Sequence, residues 1–172
     1  PFVTRPAKAP GLALGAYLAA SRAIPLLAPM VLNRRLRRGK ELPDRWREKL
    51  GQATLPRPKG KVIWLHAVGL GETLALRGLI DAMAAQSEAE FLVTSTTRAS
   101  AEVLGANLPA RTRHQFLPLD APAYLARFLD HWRPSLSVWA EQDLWPGAVA
   151  ATDARGIPLT LVNARMNADA HA

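Results

Sequence analysis

The chain has 172 residues, enough to bury the core of one domain, and no cysteine, which excludes disulfides, thiolate catalysis and cysteine-based zinc sites. Its formal net charge of +8 would suit a nucleic-acid binder. However, residues 1–61 hold 14 Lys/Arg against 3 Asp/Glu, whereas residues 62–172 hold 8 against 11. The basicity belongs to the N-terminal segment alone, so we expect no nucleic acid among the partners.

Residues 1–40 combine an apolar stretch with a basic cluster. The stretch 11–33 is interrupted by Arg22, Pro25 and Pro29, and the cluster that follows is Arg34, Arg35, Arg37, Arg38 and Lys40. A spanning helix needs about 20 apolar residues with few charges, and a signal peptide places its charges before the apolar run. The order found here predicts a helix that contacts an anionic membrane surface, peripheral or N-terminally anchored. An amphipathic helix packed on the domain is the alternative.

Residues 41–61 predict a short charged helix ended by Gly51, followed by a Pro/Lys/Gly linker. From residue 62 onward, apolar runs alternate with helix-like stretches. The predicted strands are 62–66, 90–95, 114–118, 136–140 and 158–163, and the predicted helices are 72–86, 100–106, 123–132 and 145–154. This alternation predicts an α/β fold for residues 62–172, a Rossmann-like parallel β-sheet with helices on both faces.

Ligands of such sheets bind at the carboxyl ends of the strands, so the stretch "HAVGLGE" (66–72) after the first strand is a candidate site. Gly69 and Gly71 supply two glycines of a dinucleotide fingerprint, but Leu74 occupies the third glycine's position and no acidic residue follows the second strand. Nicotinamide binding is therefore disfavoured. Glu72 falls in the first turn of a helix, where it could act as a general base. Helix dipoles alone also favour a glutamate there.

The other strand ends carry polar candidates as well. Glu141 and Asp143 in "AEQDLWPG" could form an acceptor pocket, or Asp143 could belong to a helix start that Pro146 continues. In "TSTTRAS", Thr96 and Arg98 could cradle an anion, while Ser100 could be a helix N-cap. Arg165 in "NARMN" is either a second anion ligand or a solvated loop residue, and a lone strand-end histidine such as His66 is more often structural. No His/Asp/Glu spacing indicates a metal site.

Seven motifs occur in an order and spacing that resemble the N-terminal half of the Kdo transferases. They are "GKE" (39–41), "REKLG" (47–51), "HAVGLGE" (66–72), "TSTTRASAE" (94–102), "FLPLDAP" (116–122), "RFLDHWRPSLSVWAEQDLWP" (127–146) and "GIPLTLVNARMN" (156–167). These glycosyltransferases of lipopolysaccharide biosynthesis move 3-deoxy-D-manno-octulosonic acid (Kdo) from CMP-Kdo onto a lipid A precursor at the cytoplasmic face of the bacterial inner membrane.

The resemblance implies the acceptor-side half of a GT-B fold, with the CMP-sugar site mostly in a C-terminal donor domain. It implies that Glu72 is the catalytic base, that transfer is inverting, and that no metal or other cofactor takes part. The acidic residues of the family's Glu-Thr-Glu-Leu-Trp-Pro motif correspond to Glu141 and Asp143. With Gly69, Gly71, Thr96, Arg98 and Arg165 they complete the expected acceptor-binding set.

Three departures from the family pattern bear on activity. Gly69 stands where the family has serine, Gln142-Asp143 where it has Thr-Glu, and Met166-Asn167 where it has Leu-Ser. They favour, as an alternative, a paralogue with an altered acceptor or a non-catalytic membrane-associated module that binds lipid or glycan. Because no donor domain follows residue 172 of the sequence, we expect no catalysis from this chain alone.

Overall fold

The computed structural model describes residues 11–68, 70–106, 108–140 and 144–162, and for residues 70–75 it describes the helix but not the side chains. The helices are α1 (Leu12–Ser21), α2 (Ile24–Arg37), α3 (Leu70–Gln86), α4 (Arg98–Ala106), α5 (Pro122–Trp132) and α6 (Pro146–Asp153), with a 3-10 helix at Trp46–Leu50. The strands are β1 (Val62–His66), β2 (Glu90–Ser95), β3 (Thr112–Phe116), β4 (Leu136–Ala140) and β5 (Leu159–Val162).

The five strands form one parallel sheet in the order β3-β2-β1-β4-β5. All five residues of β1 are buried, since this strand lies at the centre and both of its faces are covered. Helices α3 and α4 cover one face, where Leu76, Ile80 and Leu104 pack on β1 and its neighbours. Helices α5 and α6 cover the other face through Phe128, Trp132 and Ala148. The predicted Rossmann-like α/β fold is confirmed.

The bounds of several elements differ from those predicted, although each predicted element is present. Strand β3 begins two residues earlier and ends at Phe116, because it is an edge strand whose first residues, Thr112 and Arg113, are polar and only half-buried. Helices α3 and α4 each begin two residues earlier than the apolar pattern indicated. Hydrophobic periodicity marks the packed middle of an element and not its first turn.

The N-terminal helix is present as two consecutive helices, α1 and α2, that are bent by 55° relative to each other. Within the described ranges, no single helix is long and apolar enough to cross a membrane, while this bent pair passes the same test by length and composition. Helix α2 lies on the domain through the buried Ala28 and Leu32, which pack with Leu50 and Tyr124. Its opposite side is exposed.

A buried carboxylate fastens the 3-10 helix to the sheet. Glu48 is fully buried and receives the Nε and Nη2 hydrogens of Arg45 at 3.0 and 2.9 Å. It also accepts the backbone N–H of Phe116, at the end of β3, at 2.8 Å, and the hydroxyl of Thr54. A second buried acid, Glu41, pairs with Arg35 and Lys49, both at 2.6 Å. Glu48 thus holds the 3-10 helix against the edge strand, and Glu41 links that helix to α2.

Gly51 ends the 3-10 helix as predicted, in the left-handed conformation with φ +78°. A Cβ at this position would lie 2.2 Å from the carbonyl oxygen of Tyr124 in α5. Glycine is required here both by the backbone conformation and by the close approach of the two segments.

His114, in β3, is buried between the guanidinium group of Arg45 and the hydroxyl group of Ser95. Its Nδ1 lies 2.8 Å from Nη2 of Arg45, and its Nε2 lies 2.9 Å from Oγ of Ser95. Because a guanidinium can only donate, Nδ1 accepts and the ring proton resides on Nε2, which donates to Ser95. Burial, and then the charge of Arg45, lowers the pKa of His114 to about 3. The imidazole is neutral in the folded protein at neutral pH.

We predict that Glu48→Gln lowers the free energy of unfolding by about 2–3 kcal/mol, because Arg45 and Phe116 lose a buried charged partner. The matched control is Glu102→Gln, which removes the charge from an exposed pair with Arg98 at 2.7 Å and should cost at most about 1 kcal/mol. Urea denaturation of both variants measures the difference. Equal losses would show that the buried pair is not what fastens the 3-10 helix.

We predict that His114 makes stability depend on pH. Between the lowered pKa and the ordinary value of 6.5, the unfolded chain binds a proton that the folded chain does not, so stability is full above about pH 6.5 and falls as pH falls. The expected loss from this residue is about 2 kcal/mol between pH 7 and pH 5. His114→Gln should flatten the profile, whereas Leu104→Ala should lower stability and keep the slope. An unchanged slope in His114→Gln would contradict the assignment.

Candidate functional site

The strand order reverses between β1 and β4, and the crevice of an open α/β sheet is expected outside the carboxyl ends of the strands at such a point. These strands are neighbours, with His66 of β1 in register with Trp139 of β4. Beyond its end, β1 leads to α3 on one face of the sheet, whereas β4 leads to α6 on the opposite face. The helices that follow these two adjacent strands therefore lie on opposite faces of the sheet. Such a reversal is where open α/β sheets bind their ligands.

A rigid polar cluster lies beneath this edge of the sheet. His66 is buried, with Nδ1 2.9 Å from the hydroxyl oxygen of Thr94 and its ring 4.6 Å from that of Trp139. The indole N–H of Trp64 donates to the same Thr94 oxygen at 2.9 Å. Hydrogen bonds and ring contacts thus fix His66 in the sheet, which agrees with a structural role for this histidine.

The loop after β2 is tied to the loop after β1 by a chain of hydroxyls. Thr97 donates to Ser100 Oγ at 2.8 Å, and Ser100 donates to the carbonyl oxygen of Val68 at 3.2 Å. The backbone N–H of Ser100 in turn donates to Thr97 Oγ1 at 3.1 Å. The N-cap of α4 is therefore Thr97, and the prediction of Ser100 as N-cap was wrong because α4 begins two residues earlier.

The two predicted acceptor ligands of this loop are adjacent to that chain. Thr96 follows the last residue of β2 and is half-buried. Arg98 opens α4 with an exposed side chain, whose Nε donates to Glu102 at 2.7 Å and whose Nη1 donates to the carbonyl oxygen of Gly39 at 2.9 Å. Arg98 thereby links α4 to the residue that follows α2. Their binding role stays a prediction.

Asp120 is a buried carboxylate that the sequence patterns did not single out. It lies in the loop after β3, and its two carboxylate oxygens accept the backbone N–H groups of Gly147 and Ala148, both at 2.8 Å. It also accepts the hydroxyl of Tyr17 at 2.6 Å. A signal for it exists in the sequence, since the N-cap position of α6 is Trp145, which has no acceptor. Another residue must cap that helix.

The remaining predicted site residues fall outside the part of the chain whose side chains are described. Gly71 and Glu72 are the second and third residues of α3, so Glu72 does lie in the first turn of the helix that follows β1. Gly69, Glu141, Asp143 and Arg165 lie outside the described residues. Among the residues that are described, no group of three His, Cys, Asp or Glu side chains could hold a metal ion. Metal-independent chemistry remains a prediction.

The amino-acid sequence is similar to those of several known proteins. The chain is 42% identical to a probable mitochondrial 3-deoxy-D-manno-octulosonic acid transferase of Arabidopsis thaliana over 144 residues, which are 83% of this chain and 32% of that protein. It is 37% identical to the 3-deoxy-D-manno-octulosonic acid transferase of Rickettsia bellii over 77% of this chain and 32% of that protein. It is 34% identical to the protein of the same name from Bordetella pertussis, over 90% of this chain and 38% of that protein.

The chain thus spans about a third of the length of the curated relatives that it matches. Residues 44–172 match the sequence profile of the family described as 3-deoxy-D-manno-octulosonic-acid transferase (kdotransferase). This range contains the five-stranded sheet and the crevice between β1 and β4. The chain belongs to the 3-deoxy-D-manno-octulosonic-acid transferase family.

Proposed function

We propose that this chain is the acceptor-binding domain of a glycosyltransferase that moves Kdo from CMP-Kdo onto a lipid A precursor. One observation carries the proposal: the strand order brings the ends of β1 and β4 together, and each strand end leads into one of the two acidic motifs, "HAVGLGE" and "AEQDLWP". Because the chain spans about a third of its relatives' length, a C-terminal donor domain supplies the CMP-sugar site in this proposal. The whole enzyme has the two-domain GT-B fold.

In the proposed reaction, Glu72 acts as the general base. Its carboxylate accepts the proton of an acceptor hydroxyl, the hydroxyl oxygen forms a bond to the anomeric carbon of Kdo, and CMP leaves with inversion at that carbon. The proposal requires the Glu72 carboxylate to lie within hydrogen-bond reach of that hydroxyl, and its place in the first turn of the helix after β1 supports this. No metal takes part in the proposed step.

The acceptor sugar lies in the crevice and its polar groups meet residues from several strand ends. The proposed acceptor ligands are Gly69, Gly71, Thr96, Arg98, Glu141, Asp143 and Arg165. Among them, Arg98 suits an anionic group because it is exposed on the carboxyl side of β2. The hydroxyl chain from Thr97 to Val68 supports this part of the proposal, because it holds two of the contributing loops at a fixed distance.

The proposed location is the cytoplasmic face of the bacterial inner membrane, with α1 and α2 on the anionic lipid. Large apolar side chains of α2 point away from the domain: Leu26 is 80% exposed, Met30 65% and Leu27 61%. The exposed Arg34 and Arg38 follow within the same helix and just after it. On a membrane surface, the apolar side chains of such a helix enter the acyl-chain boundary, while its cations meet the anionic headgroups.

We predict that Glu72→Gln strongly lowers the rate of sugar transfer by a chimera that joins this chain to the C-terminal part of the Bordetella pertussis relative. Loss of a general base should lower kcat about 10²–10⁴-fold, while the affinity for the acceptor changes little. Release of CMP and mass spectrometry of the lipid product measure the transfer.

The matched control is Glu88→Gln, which neutralises a fully exposed carboxylate. Glu88 precedes β2 and so lies at the amino ends of the strands, opposite the proposed site. It should keep wild-type kcat. Full activity of Glu72→Gln would refute the assignment of the base. A wild-type chimera that binds acceptor lipid without any transfer would favour the alternative, a non-catalytic lipid- or glycan-binding module.

We predict that the double change Arg34→Gln and Arg38→Gln weakens binding of the chain to vesicles containing phosphatidylglycerol by about tenfold to thirtyfold. Each cation near an anionic surface contributes roughly 1 kcal/mol, and the effect should fade as salt is raised. Co-sedimentation at low and high salt measures the binding.

The control is the double change Arg77→Gln and Arg133→Gln, which removes two exposed cations from α3 and from the end of α5. It lowers the net charge equally and should leave binding within about twofold of wild type. Equal losses in both double variants would mean that only net charge matters, and no binding by the wild type would exclude the proposed surface.

A further inference from the structure

The first turn of α6 is capped from elsewhere in the chain. Its N-cap residue, Trp145, makes no side-chain cap hydrogen bond, and Pro146 has no N–H to satisfy. The next two N–H groups, of Gly147 and Ala148, donate instead to the carboxylate of Asp120 in the loop after β3. A negative charge at this position is also favoured by the helix dipole. The position of the Asp120 carboxylate therefore determines where the first turn of α6 lies.

The position of Asp120 leaves little freedom to either partner. Asp120 is 6% exposed, and a Cβ at position 147 would lie 2.6 Å from its Oδ1. The glycine is what allows the carboxylate to approach the helix this closely. Any shift of Asp120 would consequently move the first turn of α6, or break the two hydrogen bonds.

The third partner of Asp120 comes from the N-terminal helix pair. Tyr17 of α1 donates its hydroxyl to Asp120 Oδ2 at 2.6 Å, across 103 positions of the sequence. This hydrogen bond, together with burial and the charge of Asp120, raises the pKa of Tyr17 to about 12, so the hydroxyl remains a donor throughout the physiological range. The same carboxylate thus connects α1 to the helix that follows the segment 141–145.

We propose that Asp120 is a positioning residue that couples helix α1 to helix α6, by setting where the first turn of α6 lies. The inference rests on the proposed function, because it takes α1 and α2 as the membrane-contacting part and the start of α6 as a border of the acceptor site. When α1 is held at a membrane surface, its Tyr17 orders the Asp120 cap and with it the first turn of α6.

The test is amide hydrogen exchange at Gly147 and Ala148 in the full 172-residue chain, in solution. Tyr17→Phe should speed exchange of these two amides by about tenfold, since a hydrogen bond to a charged group is lost, and Asp120→Asn should speed it further. The matched control is Tyr124→Phe, which removes the other tyrosine hydroxyl of the chain and should leave both amides as in the wild type. Amides of β1 report global unfolding and should not change in Tyr17→Phe.

A spectroscopic signature separates positioning from a general loss of stability. With 5-fluorotryptophan in all five tryptophans, the fluorine resonance of Trp145 should shift in Tyr17→Phe, while those of the fully buried Trp64, Trp132 and Trp139 stay in place. The Trp145 resonance is assigned by comparison with the variant Trp145→Phe, whose spectrum lacks it. Unchanged amide exchange and an unchanged Trp145 resonance in Tyr17→Phe would overturn the proposal, and so would equal effects of Tyr124→Phe.

A second arm uses vesicles containing phosphatidylglycerol, with pure phosphatidylcholine as the comparison. Binding of the wild type should slow exchange in the peptide that covers the first turn of α6, and Tyr17→Phe should bind equally well without that slowing. Binding without slowing in the wild type would overturn the coupling. Coupling in solution together with a failure to bind vesicles would refute the membrane surface and support Asp120 as the link between α1 and α6.

Discussion

The central place of β1 is the constraint on which the rest of the structure depends. It pairs with β2 on one side and β4 on the other, and both of its faces are buried. Parallel neighbours can be reached only by crossovers that pass over a face of the sheet, and these crossovers share one hand. Building outward from β1 in two directions therefore sends α3 and α4 to one face and α5 and α6 to the other. The crevice between β1 and β4 is the gap that this reversal leaves.

Buried carboxylates help to determine where the peripheral segments lie. Glu41 links α2 to the 3-10 helix, Glu48 attaches that helix to the edge strand, and Asp120 attaches α1 to α6. Each is almost fully buried, and each has at least two partners that satisfy its charge. Removing one partner of such a group is costly, because it leaves a buried polar group uncompensated. These contacts act together with the apolar cluster around Leu50 and Tyr124.

Most of the sheet could be predicted from the sequence, because β1, β2 and β4 are apolar runs whose bounds coincide with those observed. The predicted bounds of the edge strand β3 lay two residues too far along the chain, because the polar residues at its start give no apolar signal. The roles of Glu48 and Asp120 were missed for a different reason. Their partners lie 68 and 103 positions away, and no local pattern reports a pairing over such distances. The carboxyl edge of the sheet was predicted as the binding edge from the general rule for α/β folds, and the site residues there stay a prediction.

The long sequence separation between Tyr17 and Asp120 also has a consequence during synthesis. Helix α1 is made early, yet its anchoring carboxylate is added 103 residues later. At about 5–20 residues per second, the interval is roughly 5 to 20 seconds. For that time the exposed Leu12 and Leu26 side chains belong to a segment whose contacts with α5 and α6 cannot yet form. The order of synthesis therefore makes the position of the helix pair one of the later features of the fold to be established.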